Sequence, residues 1–414
     1  MNIAFLAFGI GSSYSGKLLR DHNICTALNR IGHRVAFIPL MQHTVLERED
    51  STQSSCYYPI NKLMTARNYP LLTRSHWLFN KMIKNQSWQN SCMEKYANMT
   101  PEEAFQFHHE VLFPNQTMYE DEYRDLSSFI AREKPKYICC SEWIILPIAI
   151  QLAKDFSCKC IFFNKGNTTL IHKQAEFSDY LSYYKEVDHI IFPSDAACEA
   201  DYAITQIKPK KASIIQDGLA LNNYMLRDDS PPAKTLGYLD QLSPSSGLEF
   251  ILEITKRLIP DKTDIELKLG GALFERNKPF MSELETSISA SALRLRVSIT
   301  PNISLEDKVN FLRELDIMLI PPNKHDASLT CLEAMACGIL WVAPKLPIYK
   351  ELHEKTGCGV LYEPSEKRET AKMINSLLSN PAKLKAMGLI GRRYALEEAS
   401  IEKMIGRLIH DVFQ

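Results

Sequence analysis

Long hydrophobic runs are missing from this chain: among its 414 residues no stretch approaches the roughly 20 apolar positions that a membrane-spanning helix needs. Net charge is missing as well. Forty-eight Lys and Arg against 49 Asp and Glu leave −1, which gives no electrostatic footprint for nucleic acid. The opening residues, Met1-Asn-Ile-Ala-Phe-Leu-Ala-Phe-Gly9, have no basic stretch of the signal-peptide kind and read as a first strand. The 11 cysteines are odd in number and lack zinc-finger spacing, and a chain this long needs no disulfide staples. Reduced thiols, a cytoplasmic location and no metal are therefore expected. The first glycine loop, Gly9-Ile-Gly11-Ser-Ser-Tyr-Ser-Gly16, lacks the third glycine of a dinucleotide fingerprint, because Tyr14 stands there. The following strand ends at Leu40 without a ribose-binding acid, so no dinucleotide cofactor is expected.

What is present is alternation. Ile3 to Phe8 reads as a strand, Lys17 to Ile31 as a helix and His33 to Leu40 as a strand, and the pattern resumes at Tyr137. Further strands are expected at Lys159–Phe163, His189–Pro193 and Ala212–Ile215. A second series opens at Thr235–Leu239 and continues through Glu266–Leu269, Arg296–Thr300, Asp316–Ile320 and Leu340–Ala343. The length exceeds what one core usually supports. The polar, two-proline stretch Arg227–Lys234 separates the series and reads as a linker. The expected fold is α/β: two doubly wound Rossmann-like domains, 1–226 with an insertion at about 41–130, and 235–396, flanking a cleft.

The most informative segment is Asp326-Ala-Ser-Leu-Thr-Cys-Leu-Glu-Ala-Met-Ala-Cys-Gly338. A polar loop runs into a helix of small residues that ends at a glycine. Thr330 and Glu333 have capping-box spacing, and the helix is expected from Leu332. Ala334 and Ala336 permit close approach of another backbone, and Gly338 suits a left-handed C′ position. The free N–H groups opening such a helix receive anions.

This segment resembles the nucleotide-sugar loop of GT-B glycosyltransferases, in particular the retaining family 4. The family's pattern is a Glu, seven residues, then a Glu followed by Ala-Met-Ala-Cys-Gly. The second Glu falls on Glu333. The first falls on His325, with Asp326 beside it. Gly32-His-Arg-Val35, Ile215-Gln-Asp-Gly218, Leu236-Gly-Tyr-Leu239, Pro347-Ile-Tyr-Lys-Glu351 and Gly357 to Pro364 are similar to other family segments. The resemblance implies a GT-B fold whose last helix, within 397–414, crosses back to the first domain. It implies a nucleotide sugar as substrate rather than a cofactor, and a glycan or lipid-linked saccharide as acceptor.

It also implies roles for residues. Glu333 would bind ribose. Ala327, Ser328, Leu329 and Thr330 would present N–H groups to phosphate. Asp326 or His325 would hold the sugar and, for Asp326, steady its oxocarbenium-like charge. Gly11 would face the donor. Glu142, in Ser141-Glu142-Trp143, and Lys165, in Asn164-Lys-Gly166, would meet the acceptor. Two departures matter. The family's phosphate-binding Arg and Lys are replaced by Tyr238 and Ser246, and the loop between them carries Asp240 and no cation. Lys324, Lys345, Lys17 and Lys165 are the candidate substitutes.

Residues 51–93 contain no acid but carry Lys62, Arg67, Arg74, Lys81 and Lys84 among Tyr57, Tyr58, Tyr69, Trp77, Phe79 and Trp88. That composition suits peripheral contact with anionic lipid. It also suits a solvated, partly buried insertion balanced by the acidic stretch Glu102 to Asp125. The leading expectation is a hexosyltransferase. The alternative is a weakened GT-B protein serving as a partner subunit or glycan-binding module, and a sugar-nucleotide epimerase on the same scaffold is a distant third.

Overall fold

The structure is a computed structural model. It describes residues 1–8, 16–41, 57–58, 60–69, 71, 75–113, 120–166, 172, 177–227, 234–260, 264–324 and 328–414. The candidate linker residues 228–233 lie outside the described residues.

Two six-stranded sheets form the scaffold. The first contains β1 (Asn2–Ala7), β2 (Arg34–Pro39), β3 (Tyr137–Cys140), β4 (Lys159–Phe163), β5 (His189–Phe192) and β6 (Ala212–Ile214), in the order β2-β1-β3-β4-β5-β6. Its strands are short, nearly continuous apolar runs, as a sheet covered on both faces requires. Tyr137, Ile138, Cys139 and Cys140 are all fully buried. Ile3 to Leu6 pair in parallel with Val35 to Ile38 on one side and with Tyr137 to Cys140 on the other.

The second sheet contains β7 (Thr235–Leu239), β8 (Glu266–Gly271), β9 (Val297–Pro301), β10 (Ile317–Leu319), β11 (Leu340–Pro344) and β12 (Val360–Tyr362). Its order is β12-β11-β10-β7-β8-β9. Every neighbouring pair is parallel. In each sheet the chain steps outward from its first strand, then returns to that strand's other side. The reversals fall between β1 and β3 and between β7 and β10. Open α/β sheets bind ligands beyond the carboxyl ends of the strands at such points.

Helices connect the strands: α1 (Gly16–Arg30), α2 (Ile60–Asn68), α3 (His76–Ile83), α4 (Gln86–Ala97), α5 (Pro101–Leu112), α6 (Glu120–Glu133), α7 (Leu146–Asp155), α8 (Phe177–Tyr184) and α9 (Asp195–Thr205) in the first half. The second half has α10 (Leu248–Leu258), α11 (Lys278–Ser289), α12 (Leu305–Arg313), α13 (Ser328–Ala336), α14 (Pro347–Thr356), α15 (Lys367–Leu378), α16 (Pro381–Glu398) and α17 (Ile401–Asp411). Contacts divide the chain into two compact units. One is Met1–Ser12, Ile24–Phe192 and Ala200–Ser213; the other is Ser13–Asn23, Pro193–Glu199 and Ile214–Gln414.

One local expectation needs correction. Helix α13 starts at Ser328, so Thr330 lies in its first turn and not at its N-cap. Glu333 is therefore too deep in the helix to reach back to an N-cap amide, and its carboxylate has other partners, described below. Another helix does come close to the C-terminal end of α13, at Gly338 and Met335. A Cβ on Gly388 of α16 would lie 2.0 Å from the Gly338 carbonyl oxygen, and one on Gly391 would lie 2.9 Å from the Met335 side chain. Gly338 itself takes the left-handed conformation, φ 74°, that ends α13.

Candidate functional site

The reversal between β7 and β10 brings two loops together in the second unit. From β7 the chain enters Asp240–Gly247, and from β10 it enters Pro321–Lys324 on the way to α13. The Lys324 ammonium meets the Asp240 carboxylate at 2.7 Å. Both backbones are pinned. The Tyr349 hydroxyl donates to the Lys324 carbonyl at 2.7 Å, and the Lys324 amide donates to the Pro321 carbonyl at 3.2 Å. The Asp240 amide donates to the Gly270 carbonyl at 3.2 Å, and the Gln241 amide donates to Asp240 Oδ1 at 2.6 Å. A Cβ on Gly271, whose φ is 144°, would fall 1.5 Å from the Asp240 carbonyl oxygen, so only glycine permits this path.

Tyr238 and Ser246, at the two positions where the resemblance implies phosphate-binding cations, face inward. Tyr238 is buried and donates to the Gln241 carbonyl at 2.8 Å, and burial, with the nearby Asp240 charge, pushes its phenol well above the usual range. Ser246 is fully buried and donates to the Ser243 carbonyl at 2.5 Å. Of the substitute lysines, Lys324 is the one at this reversal. Lys345 pairs with Glu363 at 2.9 Å, and the side chain of Lys17 lies outside the described residues.

Helix α13 leaves the same crevice. Its first turn, Ser328, Leu329 and Thr330, is half-buried, which leaves room for N–H groups to meet a ligand. Ser328 and Leu332 line a small cavity together with Glu351, Asp217 and Lys355. Glu333, one turn further, is buried. Its Oε1 accepts from the Tyr224 hydroxyl at 2.9 Å and forms an ion pair with Lys308, whose side chain is 0% exposed. Lys308 also donates to the Tyr224 oxygen at 3.3 Å. The segment ending at Arg227 is tied to this helix as well: the Arg227 amide donates to the Cys337 carbonyl at 3.0 Å. His325, Asp326, Ala327 and Gly11 lie outside the described residues.

In the first unit, the turns that follow β3 and β4 carry Glu142 and Lys165, which pair at 2.8 Å. Lys165 is buried and Glu142 is partly exposed, so the carboxylate is the accessible member. Asn164 supports the turn. Its amide donates to Asp201 at 2.7 Å, and its oxygen accepts from the Gly166 amide at 2.9 Å. The structure thus joins two residues that sequence named separately.

Three further residues stand out in the structure. Asp240 was noted only as an unwelcome charge. Glu351 accepts from the amides of Asp195 and Ala196 at 3.2 and 2.8 Å, capping the start of α9. Lys308 could have been found. With Leu305 three residues before it and Leu312 four after, it falls on the apolar stripe of its helix, where an unpaired lysine would be costly. Among the described residues no three metal-ligating side chains gather, and no helix is long and apolar enough to cross a membrane.

Solved structures share this architecture. Anabaena Alr3699/HepE, crystallised with UDP and glucose, superposes with a TM-score of 0.71 over 99% of each chain at 14% identity. Sucrose-phosphate synthase of Thermosynechococcus elongatus does so at 0.68 over 100% of this chain and 99% of that one, at 16% identity. This chain has the GT-B glycosyltransferase fold. Residues 229–394 of this GT-B protein match the model for glycosyl transferases group 1. Curated relatives include the MMP alpha-(1->4)-mannosyltransferase of Mycolicibacterium hassiacum, 23% identical over 226 residues, covering 54% of each chain. Another is the GDP-mannose-dependent monoacylated alpha-(1-6)-phosphatidylinositol monomannoside mannosyltransferase of Corynebacterium glutamicum, 25% identical over 197 residues, covering 44% of this chain and 50% of that one. The GT-B protein spans about half the length of the curated relatives it matches.

Proposed function

We propose that this protein transfers a hexose from a nucleoside diphosphate sugar to a hydroxyl of a glycan or lipid-linked saccharide, with retention at the anomeric carbon. The observation that carries the reading is Lys324, held against Asp240 at the β7/β10 reversal, four residues ahead of Ser328 where α13 opens. Phosphate leaving as part of a nucleotide needs positive charge near its oxygens. Lys324 and the amides of Ser328 to Thr330 supply it where Tyr238 and Ser246 do not. In this reading Glu333 binds the ribose hydroxyls through the carboxylate that Lys308 and Tyr224 orient, and Asp326 or His325 meets the sugar. Glu142, beside Lys165, meets the acceptor hydroxyl. The named relatives use GDP-mannose or carry mannosyltransferase names, while the Anabaena neighbour was solved with UDP, so both bases belong in the test.

Thermal unfolding with UDP, GDP and ADP tests the proposal. A ligand at 100 times its dissociation constant adds about 2.7 kcal/mol, a clear rise in Tm. Absence of a rise with all three would sink the enzyme reading. Glu333→Gln should weaken whichever nucleotide binds without changing the base preference.

A second reading, a partner subunit with a weakened donor site, is favoured by the inward-facing Tyr238 and Ser246. Removing one preorganised contact of this type costs about two to three decades of rate. It predicts nucleotide binding without turnover in the isolated chain.

Contact with lipid is a further part of the proposal. Leu71, Trp77 and Leu78 are exposed, and Lys81 lies over the Trp77 ring at 5.2 Å. Lys62 and Arg67 are spent on Glu122 and Glu110, which narrows the patch to α3 and its neighbours. Cosedimentation with anionic but not neutral vesicles would support it.

A further inference from the structure

We propose that Asp240 is a built-in counter-ion: it holds Lys324 when no donor is present, surrenders it to the diphosphate, and reclaims it as the nucleotide leaves. This rests on the donor-site reading above and adds an anionic regulator to it. Three observations support it. The contact is preformed, because both backbones are fixed independently, Lys324 by Tyr349 and Pro321, Asp240 by Gly270, Gly271 and Gln241. The contact is also open, with side chains 18% and 38% exposed, so it costs little to break. Finally, Asp240–Ser246 offers no cation of its own, so Lys324 is the positive charge for which carboxylate and phosphate compete.

The chemistry of the exchange is a swap of acceptors. A carboxylate and a phosphate oxygen both accept from an ammonium, but a diphosphate brings more than one negative charge and displaces a single carboxylate by mass action. Once Lys324 has turned to the ligand, Asp240 is an unpaired anion close to another anion. That repulsion weakens the bound diphosphate and favours its departure after transfer. A nucleoside without phosphates does not enter the competition. Asp240 therefore sets how strongly the site responds to phosphate charge, while the base and ribose are read elsewhere.

The test is calorimetric titration of the full chain with UDP and GDP, and with uridine and guanosine, for the wild type, Asp240→Asn, Lys324→Met and the double variant. Asn keeps an oxygen for the Gln241 amide, so the turn stays supported, and an unchanged Tm checks it. Asp240→Asn should tighten the bound nucleoside diphosphate about three- to tenfold and leave nucleoside affinity unchanged. That gain should shrink as salt rises. Lys324→Met should weaken the diphosphate about tenfold or more, and Asp240→Asn should give no gain in that background. If the wild type binds a diphosphate and Asp240→Asn fails to tighten it, or tightens it equally without Lys324, the counter-ion is disproved while the donor site stands. If no variant binds either nucleotide, both fall together.

Discussion

Two lysine–carboxylate pairs flank strand β10, and they differ in burial. Lys308 and Glu333, before and after the strand, are 0% and 6% exposed, whereas Lys324 and Asp240 at its carboxyl end are 18% and 38% exposed. The first pair is out of water, so its attraction is strong and its separation prohibitive. The second is wet, so its attraction is weak and its partners can change. The same two chemical groups thus make a fixture in one place and an exchangeable contact in another. A carboxylate meant to orient ribose should not move, and a cation meant to follow a departing phosphate should.

The largest predicted effect attacks the fixture. Lys308→Met leaves a buried carboxylate without its cation and should cost about 3–5 kcal/mol in urea unfolding. Adding Glu333→Gln should recover more than half, because the stranded charge is gone. A loss under 1 kcal/mol for the single variant would erase the contrast between the pairs.

A second partly exposed pair sharpens it. Glu351 and Lys355 are 16% and 44% exposed, and Glu351 also caps α9. Glu351→Ala should cost about 1 kcal/mol, as loss of a cap does. Desolvation raises the Glu351 carboxyl, but the Lys355 hydrogen bond and the Ala196 amide outweigh it and hold it below its ordinary 4.5. A carboxyl depressed in the folded state stabilises above its unfolded pKa and loses that contribution as pH falls through the folded one. The gap between wild type and Glu351→Ala should therefore be full near neutral pH and shrink below about pH 4.5. A gap that grew in acid would reverse the sign of the argument.

The open pair should show the smallest cost among the three. Lys324→Met should change unfolding free energy by less than about 1 kcal/mol while weakening diphosphate binding. Smallest of all, Trp77→Ser should leave stability within about 0.5 kcal/mol, since the ring is exposed, yet reduce sedimentation with anionic vesicles.

Much of this architecture was readable from residue order. The strands of both sheets are short apolar runs closed by Gly, Pro or polar turns, so the period and the punctuation agree. The insertion was not readable as helices. Segments such as Gln86–Ala97 interleave polar and aromatic residues without a clean stripe, and their helicity depends on packing against neighbours. The start of α13 was misjudged because Thr330 and Glu333 satisfy a capping rule that Ser328 and Leu329, both compatible with helix, pre-empt. Within the site, Glu333 was named but its partners were not. Pairing between loops that leave different strands is a tertiary fact, as with Asp240 and Lys324 or Glu142 and Lys165. The position of Lys308 on an apolar stripe was the exception that could have been read.

The glycine at the end of β8 leaves the neighbouring carbonyl no slack. With a phantom methyl 1.5 Å from that oxygen, the main chain after β7 cannot wander. What can be exchanged is the side chain at position 240. Swapping anion for amide or cation there alters how the crevice treats charged guests without asking the polypeptide to take a new route. This corner of the molecule can be retuned by single substitutions while its course remains frozen.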